Sequence, residues 1–209
     1  EIVGGRSSRR SASRSAAHAQ EKEMSLLQEG ARLFNLGRFD EAEQLVKPAL
    51  AAAPESPGLC SLLGQIALPK GRTAEALDCF DQVLKRFPTQ LELRAHRAMV
   101  LLKLGRKDEG KEELETILSQ NPNSYVTLKY LGALYGEDGK NEKAEPFLRR
   151  ALEIDSNEPE SLYLMGKLLF ETDRIAEARP LLKRAIKIRP WAAIPFNLMG
   201  ATYRNECRF

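Results

Sequence analysis

Residues 125–158 read YVTLKYLGALYGEDGKNEKAEPFLRRALEIDSNE, and this stretch decides the fold. Leu128, Leu131 and Tyr135 fall at i, i+3 and i+7, and Ala144, Leu148 and Ala151 repeat the pattern after Gly139. Apolar residues at that period form one face of an α-helix, and a glycine between two such runs ends one helix and lets the chain turn back. The stretch is a helical hairpin. The same pattern extends in both directions at a spacing of 34 residues. Small side chains recur at Gly30, Gly64, Ala98, Gly132, Gly166 and Gly200, and a second series at Ala42, Ala76, Gly110, Ala144 and Ala178. Pro54, Pro88, Pro122 and Pro190 close the units, with Ser156 in the remaining place, and the hinges are Gly37, Gly71, Gly105, Gly139 and Asp173.

Units therefore open at residues 23, 57, 91, 125 and 159, and a sixth at Ala193, with no insertion. Small residues at unit positions 8 and 20 let the two helices, A and B, approach closely, and proline at 32 stops helix B. A lone 34-residue hairpin cannot bury its apolar face, so each unit needs its neighbour. The spacing with these residues resembles the tetratricopeptide repeat (TPR), which has Gly or Ala at 8, Ala at 20 and Pro at 32. The resemblance covers residues 23–209. It implies an all-α fold: a right-handed superhelix of antiparallel hairpins, with A helices lining the concave surface and B helices outside.

Some residues depart from that pattern. Pro69 should end the second A helix early, and Pro48 should interrupt the hydrogen-bond ladder of the first B helix, whereas Pro146 and Pro180 lie nearer their helix starts. Residues 1–22 are rich in Ser, Arg and Ala, with almost no large apolar side chain before Met24, so they read as a disordered tail or as leader sequence. At the other end the sixth A helix, read from Trp191 to Phe209, has no partner B helix and leaves Phe196, Met199 and Tyr203 uncovered. That suggests a piece of a longer protein, or self-association through the open end.

The charge balance locates the basic character. Lys and Arg outnumber Asp and Glu by three, and Arg6, Arg9, Arg10 and Arg14 against Glu1 account for all of it. A neutral body argues against nucleic-acid binding by the folded part. The most apolar run, Ala98–Leu104, is short and broken by Lys103, so no membrane span is expected, and a cytoplasmic location follows as the expectation. Cys60, Cys79 and Cys207 form no CxxC pair, and His18 and His96 are the only imidazoles. Neither a disulfide scaffold nor a metal site is expected; Cys60 and Cys79 read as small core side chains and His96 as a structural or surface histidine. No nucleophile elbow, zinc-protease, deaminase or phosphate-loop motif occurs, so no enzyme and no cofactor are expected in this chain.

The resemblance implies a protein or peptide partner held at positions 2, 5, 9 and 12 of the A helices. The candidate residues are Met99, Lys129, Tyr163, Lys167, Phe170, Asn197 and Arg204. Lys129, Lys167 and Arg204 would form a diagonal cationic stripe suited to an acidic peptide. The carboxylate clamp of chaperone-binding relatives is absent, since Lys129 is followed by Ala133, Leu164, Ile194 and Leu198 at the other clamp positions. The leading expectation is an interaction scaffold. The alternative is a substrate-presenting region that precedes a glycosyltransferase or sulfotransferase domain in a longer enzyme.

Overall fold

The computed structural model describes residues 5–206, and side chains from Ala17 to Arg204. The described chain is helical throughout. It runs α1 (Gly5–Asn35), α2 (Phe39–Ala52), α3 (Pro57–Ala67), α4 (Thr73–Leu84), α5 (Leu91–Lys103) and α6 (Lys107–Gln120), then α7 (Tyr125–Glu137), α8 (Asn141–Ile154), α9 (Pro159–Glu171), α10 (Ile175–Ile188) and α11 (Ala193–Glu206). The A helices from α3 onward start at the expected residues 57, 91, 125, 159 and 193.

Each hairpin turns in the same way. Gly37, Gly71, Gly105 and Gly139 have φ between 71° and 81°, and Asp173 takes the same left-handed conformation at 60°. The residue after each donates its N–H back to helix A, as Arg38 does to the Leu33 carbonyl at 2.9 Å and Arg174 to Leu169 at 2.7 Å. This closes the orphan carbonyls of the A helix. Three of the A helices, α3, α7 and α9, start at a side-chain cap at position 34: Ser56 accepts from the Leu59 N–H, Ser124 from Thr127, and Glu158 from Ser161.

The small residues do the packing work expected of them. A Cβ placed on Gly64 would lie 2.2 Å from the Phe80 ring, and one on Gly132 or Gly166 would lie 2.6–2.8 Å from Leu148 or Leu182. Position 8 of helix A is thus the seat for the large residue at position 24 of helix B. Unit three reverses the pattern, with Ala98 at position 8 and Gly110 at position 20, where an added Cβ would lie 2.8 Å from the Ala98 carbonyl oxygen. Each A helix packs against its own B helix and against the A helix of the next unit, so the A helices form the inner row.

Salt bridges fasten unit to unit on the turns. Glu43, almost fully buried, receives Arg72, Lys70 and Lys47 within 2.5–2.6 Å. The Arg72 guanidinium is the main reason that the Glu43 carboxyl is held far below the usual carboxylate range. Glu145 receives Arg174 in the same manner three units later, at 2.9 Å.

Two expectations need correction. Of the segment read as a disordered tail, residues 1–4 lie outside the described residues; from Gly5 it is helical and continuous with the first A helix, its alanines and arginines favouring helix propagation once the following turns are anchored. Pro48 removes one bond from the ladder of α2, as expected, without ending the helix, which runs through it to Ala52; like Pro146 and Pro180, it is exposed, where water can satisfy the carbonyl left without a donor. Pro69 does shorten α3, which ends two positions before the other repeats' A helices. Trp191 precedes α11 rather than opening it. Phe196 and Tyr203 are 46% and 53% exposed, while Met199 is only partly so.

Candidate functional site

The inner row of A helices encloses a cavity of about 630 Å³. Its wall is built from register positions that recur along the repeats: Phe34, Gln65 and Leu68, then Glu92 and Met99, then Val126 and Lys129, then Glu160 and Tyr163. A second hollow of about 460 Å³ continues it over the first two units, past Leu27, Ala31, Gly58 and Ser61. Positions 2, 5, 9 and 12 therefore face inward, as the repeat register implies.

The far wall was not foreseen. The segment between α10 and α11 returns to the first hairpin and closes the open side of the superhelix. The Trp191 indole N–H donates to the Asn35 carbonyl at 2.6 Å, and its ring packs edge-on against Phe39 and Phe34, with centroids 4.8 Å and 6.1 Å away. The Arg189 guanidinium lies 5.1 Å over the Phe34 ring and donates to the Asn35 side-chain oxygen. Gly37 admits this contact, because a Cβ there would lie 2.7 Å from the indole. Arg189 and Trp191 lie within the sixth of the chain that follows α9, yet they form part of the cavity wall beside Phe34.

The seven candidate residues do not all line the main cavity. Met99, Lys129 and Tyr163 line the main cavity; Lys167, Phe170, Asn197 and Arg204 do not. Lys167 pairs with Glu171 one turn along α9, and Asn197 and Arg204 are exposed on α11. The stripe also loses its first member. Lys129 is 6% exposed, with its ammonium 2.9 Å from Glu160, 3.5 Å from Glu158 and 4.9 Å from the centre of the Tyr130 ring. Glu158 is at the same time the cap of α9. Lys129 thus ties the fourth A helix to the start of the fifth. Burial works against its charge, but the facing carboxylates outweigh it and raise the pKa above the ordinary lysine value.

Beside it lies a polar group that bears on the cavity. His96 is 4% exposed, and its Nδ1 is 2.8 Å from the Tyr130 hydroxyl, while Gln65 approaches Nε2 at 3.5 Å. Burial first, and then the Lys129 charge, push the imidazole down to about 3, so it is neutral. Burial likewise raises the Tyr130 phenol. His96 is structural, as expected, with its partner supplied by the next unit. Lys103 and Arg189 are the cavity's remaining cations, against Glu92 and Asp155 once the Lys129 group is set aside, so the wall is close to balanced in charge. Among the described residues no group of three or more His, Cys, Asp or Glu could hold a metal ion, and no helix is long and apolar enough to cross a membrane.

Comparison with known proteins follows the same register. One model of the tetratricopeptide repeat matches residues 67–131 and 137–193, and a second matches 27–91. Among solved structures, the thermophilic TPR protein TTC0263 of Thermus thermophilus superposes with a TM-score of 0.67 at 26% identity, covering 87% of this chain and 98% of that one. Cut9–Hcn1 of the APC/C hetero-tetramer superposes at 0.70 with 13% identity, over 88% of this chain and 36% of that one. A monomeric IFIT1 mutant with m7Gppp-AAAA superposes at 0.71 with 16% identity, over 87% of this chain and 46% of that one. The chain thus spans less than half of the latter two, and those two likenesses are of fold. No curated protein sequence matches it.

Proposed function

The chain belongs to the tetratricopeptide repeat family, and from that premise we propose that it is a non-enzymatic scaffold that holds a short peptide segment of a protein partner in its inner cavity. The observation that carries this reading is the cavity itself. About 630 Å³ is the size of a site for a few side chains, and it is walled by the register positions that face inward in every unit. Met99 and Tyr163 stand half-buried in the wall, so they can cover an inserted apolar side chain without first breaking a partner of their own. Gln65, Lys103 and Glu92 offer donors and acceptors for the peptide backbone or its polar groups. The near-balanced charge supports an apolar anchor residue more than an acidic ligand.

A peptide library selected on the whole chain provides the probe. A selected peptide should lose more than about tenfold in affinity on Tyr163→Ala and on Met99→Glu, as anchors at the centre of a contact do. Lys143→Glu, on the exposed side of α8, should change little. Peptides that bind all three variants equally, with helix content preserved, would place the contact elsewhere and refute the cavity reading.

A further inference from the structure

The second hairpin carries a pair of thiols that the scaffold reading does not use. Cys60 on α3 and Cys79 on α4 are both free, and their sulfurs are 2.8 Å apart. That is well inside ordinary non-bonded contact and only about 0.8 Å longer than a disulfide bond. The juxtaposition is built into the repeat register rather than a local accident. Cys60 and Cys79 occupy positions 4 and 23 of their unit. The same two positions in the third unit are Arg94 and Glu113, which meet in a salt bridge at 3.1 Å; in the first, fourth and fifth they are Leu26 with Leu45, Leu128 with Phe147, and Leu162 with Leu181. Positions 4 and 23 thus carry a matched pair in each hairpin, two apolar residues in three units and an ion pair in the third.

We infer that Cys60 and Cys79 form a reversible disulfide that staples the second hairpin when the protein meets a low-molecular-weight disulfide. Cys79 is the one that reacts first. It is only partly buried and edges a small cleft beside Lys47, Leu63, Arg72 and Glu75, whereas Cys60 is fully buried. The Cys60 thiol also points at the Cys79 carbonyl oxygen, 3.1 Å away, which favours its keeping the proton. Hydrogen bonding from Cys60 lowers the Cys79 thiol, and the same contact, with burial, raises that of Cys60. The Cys79 thiolate attacks the small disulfide and releases one thiolate, giving a mixed disulfide. Cys60 then attacks the Cys79 sulfur, its proton passing to the second thiolate as that group leaves as a thiol. Two protein thiols are oxidised, one external disulfide is reduced to two thiols, and no other reactant is needed. The staple falls where it matters, because α3 is the shortest of the described helices, cut by Pro69, and supplies Ser61 and Gln65 to the inner wall.

The test uses the whole chain with Cys207→Ser, incubated with oxidised glutathione. The expected product has lost the mass of two hydrogens and has no free thiol when denatured. After trypsin cleavage at Lys70 and Arg72, the Cys60 and Cys79 peptides remain joined until reduced. The thermal midpoint should rise by about 5 °C or more on oxidation and fall back with reductant. Adding Cys60→Ser should stop the sequence at a lasting glutathione adduct on Cys79. Two thiols still free, or a glutathione adduct that persists with Cys60 present, would overturn the inference. Circular dichroism of each variant separates these outcomes from loss of the fold.

Discussion

Gly110→Ala is the most discriminating change, because alanine occupies that position in the other four complete units. Alanine in place of glycine should favour a helix by up to ~1 kcal/mol. Against this, the new Cβ would lie 2.8 Å from the Ala98 carbonyl oxygen and 2.8 Å from a Leu102 methyl. Leu102 can rotate, but the carbonyl belongs to helix backbone, so α5 and α6 must separate by about 0.5 Å, at an overpacking cost of ~2–3 kcal/mol. The expected net is a loss of ~1.5 kcal/mol. Ala98→Gly alone should cost ~2 kcal/mol, through propensity and a lost buried methyl. The double variant recreates the Gly–Ala arrangement of the neighbouring hairpins and should return to within ~0.5 kcal/mol of the parent, a coupling of ~3 kcal/mol. Urea unfolding followed by circular dichroism measures all four corners of the cycle. If Gly110→Ala is more stable than the parent, or the two changes simply add, then the exchange of small residues in unit three is not a compensation and the packing account fails.

Other expectations concern the inner face. His96, neutral in the fold with a pKa of about 3, takes up a proton in the unfolded chain below ~6.5; its stabilisation is complete above that pH and is lost as the pH falls, by about 2 kcal/mol between pH 7 and pH 5. Carboxylates titrate mainly below this window, so His96→Gln should flatten the slope of stability against pH there, and an unchanged slope would exclude the assignment. Lys129→Ala leaves Glu158 buried without its cation and should cost ~3 kcal/mol; a neutral effect in denaturant titration would restore Lys129 as a candidate for ligand binding. Trp191 is the sole tryptophan, so its fluorescence reports the closing contact directly. Gly37→Ala, which forces a Cβ against the indole, should shift the emission to the red and increase quenching by acrylamide, and identical spectra would show that the indole is not packed there.

The parts of the fold legible in the sequence were those that a single hairpin determines. Helix starts, the left-handed hinges and the inward positions all follow from a register that returns every 34 residues, and Gly64 facing Phe80 is one instance of it. What escaped depends on relations between units. Lys129 stands at an inward position and so read as a free cation, but its burial depends on Glu158, which had no visible role until it capped α9. The Cys60–Cys79 contact had a signal that went unused, since Arg94 and Glu113 at the same two positions form a complementary pair in the sequence itself. The meeting of Trp191 with Phe39 had none: it results from small rotations accumulated over five hairpins, and no local pattern encodes their sum.

That meeting changes how the array should come apart. An open stack of repeats frays from its two ends, since the outermost units each lack one neighbour, and protection from hydrogen exchange declines toward both termini. Here the first hairpin and the segment after α10 lend each other the missing neighbour across more than 150 residues of chain. The array then behaves as a circuit rather than a line. Opening must begin by breaking a seam, either at Trp191 or at a weaker internal joint, and the units on both sides of that seam lose protection together.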